Sequence, residues 1–319
     1  MSQRKKLSII APFYNEGEGV DYFYDALCPI LDKIIELDFE VICIDDGSRD
    51  DTLKRLISVT EKDARFQVIE LSRNFGKEAA LTAGIDAATG DAIIPIDADL
   101  QDPPELIPEM IKEWSNGAEV VLARRVDRSS DSALKRKTAE MFYRFHNRLS
   151  NIQIPENVGD FRLMDRIAVD ALKQLPEQHR FMKGLFAWVG FKTVTIDYAR
   201  NPRATGTTKF SGWKLWNFAL EGITSFSAAP LKFWSYIGGL GALTTIVYAI
   251  FIISRTLIRG IDIPGYASLL VAVLFFGSLQ LISVGILGEY IGRIYVETKH
   301  RPLYLIRKQY GAKRSIDTM

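Results

Sequence analysis

Cysteine and histidine are scarce in this chain, two and three residues among 319. Cys28, in a segment of helical length, and Cys43, in a strand-like run, are too few for a disulfide framework and read as buried thiols of a reducing compartment. His146 and His300 sit in no partner pattern and read as surface or packing residues, while His179 belongs to the segment Gln178-His179-Arg180-Phe181-Met182-Lys183-Gly184. Charge of one sign is lacking too: a net charge of +1 gives no polyelectrolyte signal, so no nucleic-acid partner is expected. No secretory signal is expected, because Arg4-Lys5-Lys6 precede an apolar stretch that Pro12 and Asn15 break too early. The G-x-G-x-x-G fingerprint and the P-loop pattern are both missing, which argues against a dinucleotide domain and a P-loop nucleotidase. Internal repeats and low-complexity segments are also missing.

Apolar length is present, and it is unevenly distributed. No charged residue occurs from Phe233 to Ser254, and none from Ile263 to Gly288. Each run reaches the roughly 20 residues that cross a bilayer core. Two such runs back to back have few ways of being covered by protein, so two transmembrane helices, about 231–256 and 264–292, are expected rather than buried helices of a soluble core. The connector from Arg255 to Asp262, with Pro264-Gly265 after it, is short enough for a hairpin, which returns both ends to one side. Arg293, Lys299, Arg301, Arg307, Lys308, Lys313 and Arg314 place that side in the cytoplasm, and Arg255 and Arg259 at the far turn weaken the bias without reversing it. The expectation is a multi-pass protein of the cytoplasmic (inner) membrane with the region before the spans and both termini in the cytoplasm, residues 297–319 forming a basic tail. Within 211–230, Trp213, Trp216, Leu220 and Ile223 recur at helical spacing with Lys214 and Glu221 off the stripe, as in an amphipathic helix lying in the interface; a core-packing helix is the alternative. Gly238, Gly239, Gly241 and Ala242 allow close helix contact, either within the chain or in a homo-oligomer.

Residues 1–210 have a different grammar. Leu7–Phe13, Glu40–Ile44, Phe66–Leu71, Ala92–Ile96 and Val120–Ala123 are short apolar runs rich in β-branched residues. Between them Val20–Leu37, Asp51–Asp63, Lys77–Ala88 and Glu105–Asn116 have helical length and period. This alternation predicts an α/β domain whose mostly parallel, Rossmann-like sheet is covered on both faces.

Ligands of open α/β sheets gather at the carboxyl ends of the strands. Those ends are polar throughout: Tyr14-Asn15-Glu16, Asp45-Asp46-Gly47-Ser48, Ser72-Arg73-Asn74-Phe75-Gly76-Lys77, Asp97-Ala98-Asp99 and Arg124-Arg125. Asp97 and Asp99 repel each other unless a cation lies between them. A hard divalent ion, held by one or two carboxylates and completed by substrate phosphates, resolves that repulsion. The pair therefore points to a metal–diphosphate site, and an acidic strand-end turn is the bland alternative.

With Tyr14-Asn15-Glu16, Asp45-Asp46-Gly47-Ser48, Asp97-Ala98-Asp99 and Gln101-Asp102-Pro103-Pro104 in order, the chain resembles glycosyltransferase family 2, of GT-A fold. More narrowly it is similar to the polyprenyl-phosphate glycosyltransferases, the bactoprenol glucosyltransferases and dolichol-phosphate mannose synthase among them. The resemblance implies a metal-dependent enzyme using Mg²⁺ or Mn²⁺, a UDP-sugar donor and a polyprenyl (undecaprenyl) phosphate acceptor. It implies that Pro12, Tyr14, Glu16 and Asp46 hold the nucleoside, and that Asp97, Ala98, Asp99 and Gln101 line the donor diphosphate, with Asp97, Asp99 and Gln101 on the metal. Arg203-Ala-Thr-Gly-Thr-Thr-Lys209 resembles the family's R-x-x-G-x-S-K segment, so Arg203 and Lys209 are implied to close over the diphosphate, with Thr208 where serine is usual. Lys77 joins the donor set. Arg124, Arg136 within Lys135-Arg136-Lys137, and Arg162 are the acceptor-phosphate candidates; Asp160, in Gly159-Asp160-Phe161-Arg162, is a catalytic candidate beside them. The implied reaction is inverting transfer of a hexose, glucose foremost, with mannose or a formylated aminoarabinose as alternatives. A processive polysaccharide synthase is disfavoured because two spans are too few for a conducting channel and no Gln-x-x-Arg-Trp motif occurs. A non-catalytic scaffold has no use for Asp97, Asp99, Gln101, Arg203 and Lys209 together.

Overall fold

The computed structural model describes residues 4–126, 157–178, 180, 182–199, 229–259 and 265–311. Its centre is β1 (Lys6–Phe13) beside β2 (Asp38–Asp45), two strands that are apolar on both faces and so belong in the middle of a covered sheet. They pair in parallel with Ile9 opposite Val41 and Phe13 opposite Asp45, which brings their carboxyl ends to one edge. β3 (Phe66–Leu71) and β4 (Ala92–Pro95) continue the parallel arrangement on either side.

Alternate residues feed two cores. Leu7, Ile9, Ala11 and Phe13 face one layer with Val41 and Cys43, while Ile10, Ile42 and Ile44 face the other. The first layer is covered by α1 (Gly17–Leu31), whose Val20, Phe23, Leu27 and Leu31 recur at helical spacing, together with α2 (Thr52–Lys62) and α4 (Ile107–Ser115). The second is covered by α3 (Lys77–Ala87), α5 (Arg166–Lys173) and α6 (Met182–Trp188). α3 lies unusually close to the sheet: a Cβ at Gly84 would fall 2.2 Å from Ile10 Cγ2 and 2.7 Å from Ile44 Cδ1. Cys28 and Cys43 are both free and buried, as expected.

Among the described residues the sheet has eight strands in the order β7-β5-β6-β4-β1-β2-β3-β8, three more than the apolar runs suggest. β5 (Val120–Arg125) is separated from β4 by β6 (Val158–Asp165), which runs antiparallel to both; β7 (Thr193–Tyr198) lies parallel to β5 at the edge. β6 escapes an apolar-run search because Gly159, Asp160 and Arg162 interrupt it. The last strand, β8 (Ile306–Tyr310), comes from the stretch expected to be a basic tail and pairs antiparallel with β3. Its residues are almost all exposed, so it lacked the apolar signature; it docks by backbone pairing and by Tyr310 Oη, which donates to Glu70 at 2.8 Å. α1 also begins earlier and ends earlier than the periodicity predicts. Gly17 N–H is taken by the Asp50 carboxylate at 3.2 Å, fixing the start, and the chain turns after Leu31, where Ile34 N–H bonds the Leu31 carbonyl.

Two long helices follow, α7 (Ala229–Arg259) and α8 (Tyr266–Thr298). At about 1.5 Å per residue each exceeds the ~30 Å thickness of a bilayer core. Among the described residues one stretch, Phe275–Thr298, is long and apolar enough to cross a membrane. Large apolar side chains on both helices face outward, with Leu240 65% and Leu281 74% exposed. Gly241 lies against α8, where a Cβ would sit 3.8 Å from the Phe276 ring. From α8 the chain returns to the α/β domain. The Glu297 carboxylate accepts from Gln178 N–H at 2.9 and 3.0 Å, Tyr304 Oη donates to Asp86 at 2.8 Å, and the Leu305 carbonyl accepts from Ser72 N–H at 2.9 Å. The interfacial helix expected over 211–230 lies outside the described residues except for its last two positions, which begin α7.

Candidate active site

The loops after β1 and β2 are stitched together. Asn15 holds a positive φ of 52°; its N–H donates to Ser48 Oγ at 3.0 Å and its Oδ1 accepts from Arg49 N–H at 2.8 Å. Glu16 N–H donates to Thr52 Oγ1 at 2.9 Å. These bonds fix the Tyr14-Asn15-Glu16 and Asp45-Asp46-Gly47-Ser48 motifs as one rim, with Tyr14 exposed on it and Pro12 in the strand beneath. Gly47 has a φ of +67°, and a Cβ there would fall 2.5 Å from the Arg73 backbone, so glycine is required where the rim meets the next loop.

That next loop is nailed down by Asp46. Its buried carboxylate accepts from Phe75 N–H at 2.7 Å, Gly76 N–H at 2.9 Å and Asn74 Nδ2 at 3.0 Å. Burial pushes its carboxyl above the usual range, and the two backbone donors pull in the opposite direction. Asp45 is also buried and raised by desolvation; its Oδ2 takes Ser48 N–H at 3.3 Å, and its Oδ1 has no hydrogen-bond partner. Both carboxylates of this motif therefore support loop conformation.

Gly76 (φ +98°) ends the loop and Lys77 begins α3, so Lys77 is presented over the end of β4. Its ammonium lies 2.7 Å from Asp97 Oδ1 and 3.0 Å from Asp97 Oδ2, and 2.7 Å from Asp160 Oδ2. Burial disfavours its charge, yet the two carboxylates outweigh that and raise its pKa. Asp160 is held below its ordinary value despite burial, by Lys77 first and then by Lys183 and Arg162. The structure thus joins Lys77, Asp97 and Asp160, which lie far apart in sequence. Asp99 is in the turn after β4: its Oδ1 accepts from Gln101 N–H at 3.2 Å, and Leu100 between them adopts a φ of 47°. Gln101 and Ala98 are buried.

Three neighbours carry no sequence motif of their own. Glu78, one residue after Lys77, has a buried Oε2 without a hydrogen-bond partner; burial, then Asp160, pushes its carboxyl up to about 8. Lys183 is placed by α6 close enough to affect both Glu78 and Asp160. Tyr198, at the end of β7, donates to the buried Asp102 carboxylate of the Gln101-Asp102-Pro103-Pro104 motif, fixing that turn to the sheet edge. A glutamate beside a helix-starting lysine and a tyrosine at a strand end are too common to single out without coordinates.

The acceptor candidates are placed differently from one another. Arg162 is only 5% exposed; its Nη2 donates to the Gly159 carbonyl at 2.6 Å and its guanidinium lies 4.1 Å from the Phe186 ring centroid. Desolvation lowers its pKa to about 10, Asp160 opposing that. This packing makes it a support of the Gly159–Asp160 turn, with no open face for a lipid phosphate. Arg124 is exposed and bridges Asp197 through both ends of its fork, at 2.7 and 2.9 Å. Arg136, Arg203, Lys209, His146 and His179 lie outside the described residues.

The oxygen donors Asp97, Asp99 and Gln101 suit a hard divalent ion, and the contact of the Lys77 ammonium with Asp97 shows that a cation is stabilised at this point. Among the described residues no group of three or more His, Cys, Asp and Glu side chains converges. A metal here would draw the rest of its shell from Gln101, water and the substrate's phosphates, the usual habit of Mg²⁺.

Residues 8–173 match the family described as glycosyl transferase family 2. The chain is 51% identical over 303 residues to a prophage bactoprenol glucosyl transferase homolog of Escherichia coli K12, covering 95% of this chain and 99% of that protein. It is 50% identical over 304 residues to the bactoprenol glucosyl transferase of Shigella phage SfV, with the same coverage. Among solved structures, glucosyl-3-phosphoglycerate synthase of Mycobacterium tuberculosis, in complex with Mn²⁺, UDP-glucose and phosphoglyceric acid, aligns with a TM-score of 0.48 and 16% identity over 69% of this chain and 79% of that one.

Proposed function

The chain belongs to glycosyltransferase family 2, and on that premise we propose that it is a membrane-bound inverting transferase moving glucose from UDP-glucose to a polyprenyl phosphate such as undecaprenyl phosphate. The observation that carries the reading is the 50% identity, along nearly the whole length of both chains, to a bactoprenol glucosyl transferase.

The rim formed by Pro12, Tyr14, Glu16 and Asp46 takes the nucleoside. Asp97, Asp99 and Gln101 would hold Mg²⁺ or Mn²⁺ at the donor diphosphate. A divalent cation bound there supplies Lewis-acid neutralisation of the charge that develops on the departing UDP. Arg203 and Lys209 add positive charge to the same leaving group, a stabilisation that grows along the reaction. The acceptor's phosphate oxygen is already anionic at neutral pH, so attack on the anomeric carbon needs no strong base. The new C–O bond forms on the face opposite the breaking bond to UDP, and configuration inverts. Asp160, held ionised by Lys77, faces the positive charge that builds on the sugar ring. Arg162 positions Asp160 through the Gly159 turn, which leaves Arg124 and Arg136 for the lipid phosphate.

α7 and α8 form the membrane hairpin, anchoring residues 1–210 to the cytoplasmic face. Their outward apolar side chains, and the re-entry of β8 into the α/β sheet, support an even number of crossings. The anchor confines enzyme and lipid acceptor to one surface. A panel of UDP- and GDP-sugars tested with undecaprenyl phosphate and the purified full-length protein checks the assignment. Transfer from UDP-glucose is expected, and failure with every UDP-hexose removes it.

A further inference from the structure

The Lys77 ammonium contacts both oxygens of Asp97 and also Asp160, whereas the metal reading gives Asp97 to a divalent cation. The two arrangements compete. A metal ion sits roughly 2.0–2.1 Å from a carboxylate oxygen if it is Mg²⁺, and a second cation 2.7 Å from the same oxygen is repelled by it. The surroundings show which partner yields. The backbone at Lys77 is held through Asp46, which bonds the N–H groups of Phe75 and Gly76 just before it. The side chain itself is a flexible four-carbon stem, 44% exposed. Asp160 offers a second oxygen: its Oδ1 is buried and has no hydrogen-bond partner. The ammonium can therefore leave Asp97 and remain bonded to Asp160 with no change in the backbone.

We propose that Lys77 is the resident cation of the unloaded metal site, bridging Asp97 to Asp160 until the divalent ion and nucleotide arrive and then passing wholly to Asp160. The inference rests on the reading of Asp97 as a metal ligand. It gives Lys77 a positioning role. Before loading, the ammonium keeps two facing carboxylates from repelling each other. On loading, it keeps Asp160 ionised and oriented toward the sugar.

The test is Mn²⁺ binding without nucleotide, measured by electron paramagnetic resonance on the full-length protein in nanodiscs. Removing a positive charge in contact with a ligand oxygen strengthens metal binding, so Lys77→Met should bind Mn²⁺ about tenfold more tightly than the wild type. Lys77→Arg, which keeps the charge, should bind like the wild type, and a cooperative thermal transition in each variant shows that it is folded. A lysine that serves only as a donor-phosphate ligand leaves Mn²⁺ affinity unchanged and raises the donor KM instead. Unchanged or weaker Mn²⁺ binding in a folded Lys77→Met therefore overturns the proposal. Asp99→Ala separates the two readings. Loss of Mn²⁺ binding there upholds the metal site whatever Lys77→Met does, and wild-type binding that survives Asp99→Ala overturns both.

Discussion

At the scale of single residues the site is an exercise in keeping like charges apart. Asp45, Asp46, Asp97, Asp99 and Asp160 are all drawn to one edge of the sheet and are relieved in three ways: Asp45 and Asp46 by backbone N–H groups, Asp99 by its turn, Asp97 and Asp160 by Lys77. Glu78 is the one relieved by staying protonated. Its folded pKa of about 8 lies above its ordinary 4.5, so the folded state binds the extra proton between those values. Its contribution to stability is complete below pH 4.5 and is lost as pH rises toward 8. Glu78→Gln should remove that dependence, raising the unfolding temperature at pH 8.5 by a few degrees while leaving it nearly unchanged at pH 5; thermal unfolding of the detergent-solubilised protein at the two values checks this. Equal shifts at both values would show that the effect is one of packing.

Elements differ in how far the sequence exposed them. β1 to β5 and their helices were legible because each strand carries a buried apolar run and helices such as α1 and α4 repeat their apolar residues at 3.6-residue spacing. β6 was not, because the polar candidates Asp160 and Arg162 sit inside it; β8 was not, because an exposed edge strand needs no apolar pattern. The same division runs through the site. Asp97, Asp99 and the glycine-bearing loops were readable as motifs, whereas the meeting of Lys77 with Asp97 and Asp160 depends on the pairing of β6 with β4 and could only be seen in three dimensions. The role of β8 is open to direct test. Ending the chain after Arg301 uncovers the edge of β3 and strips Glu70 of Tyr310 and Arg307. Lower thermal stability and a shift toward aggregates on size exclusion are expected; Tyr310→Phe, which keeps the strand, should show much less of either.

On the scale of the whole molecule, an α/β sheet that ends with a strand from beyond the last long helix ties α7 and α8 to the loops at the strand ends. Leu305 bonds Ser72 at the start of the loop that carries Lys77, and Glu297 bonds Gln178 ahead of α6. A hairpin topology predicts that a cysteine replacing Gly260, in the connector between α7 and α8, is labelled by a membrane-impermeant maleimide from the outer face of the membrane. Cys28 and Cys43 are buried and give little background. Labelling only after permeabilisation would reverse the topology. The proposed chemistry needs a divalent ion joining two aspartates at the end of β4 to a sugar nucleotide, and the most direct measurement is calorimetry of UDP binding to the full-length protein. Binding should require Mg²⁺ or Mn²⁺ and disappear in Asp99→Ala. UDP that binds equally well with metal chelated and with Asp99 replaced would contradict it.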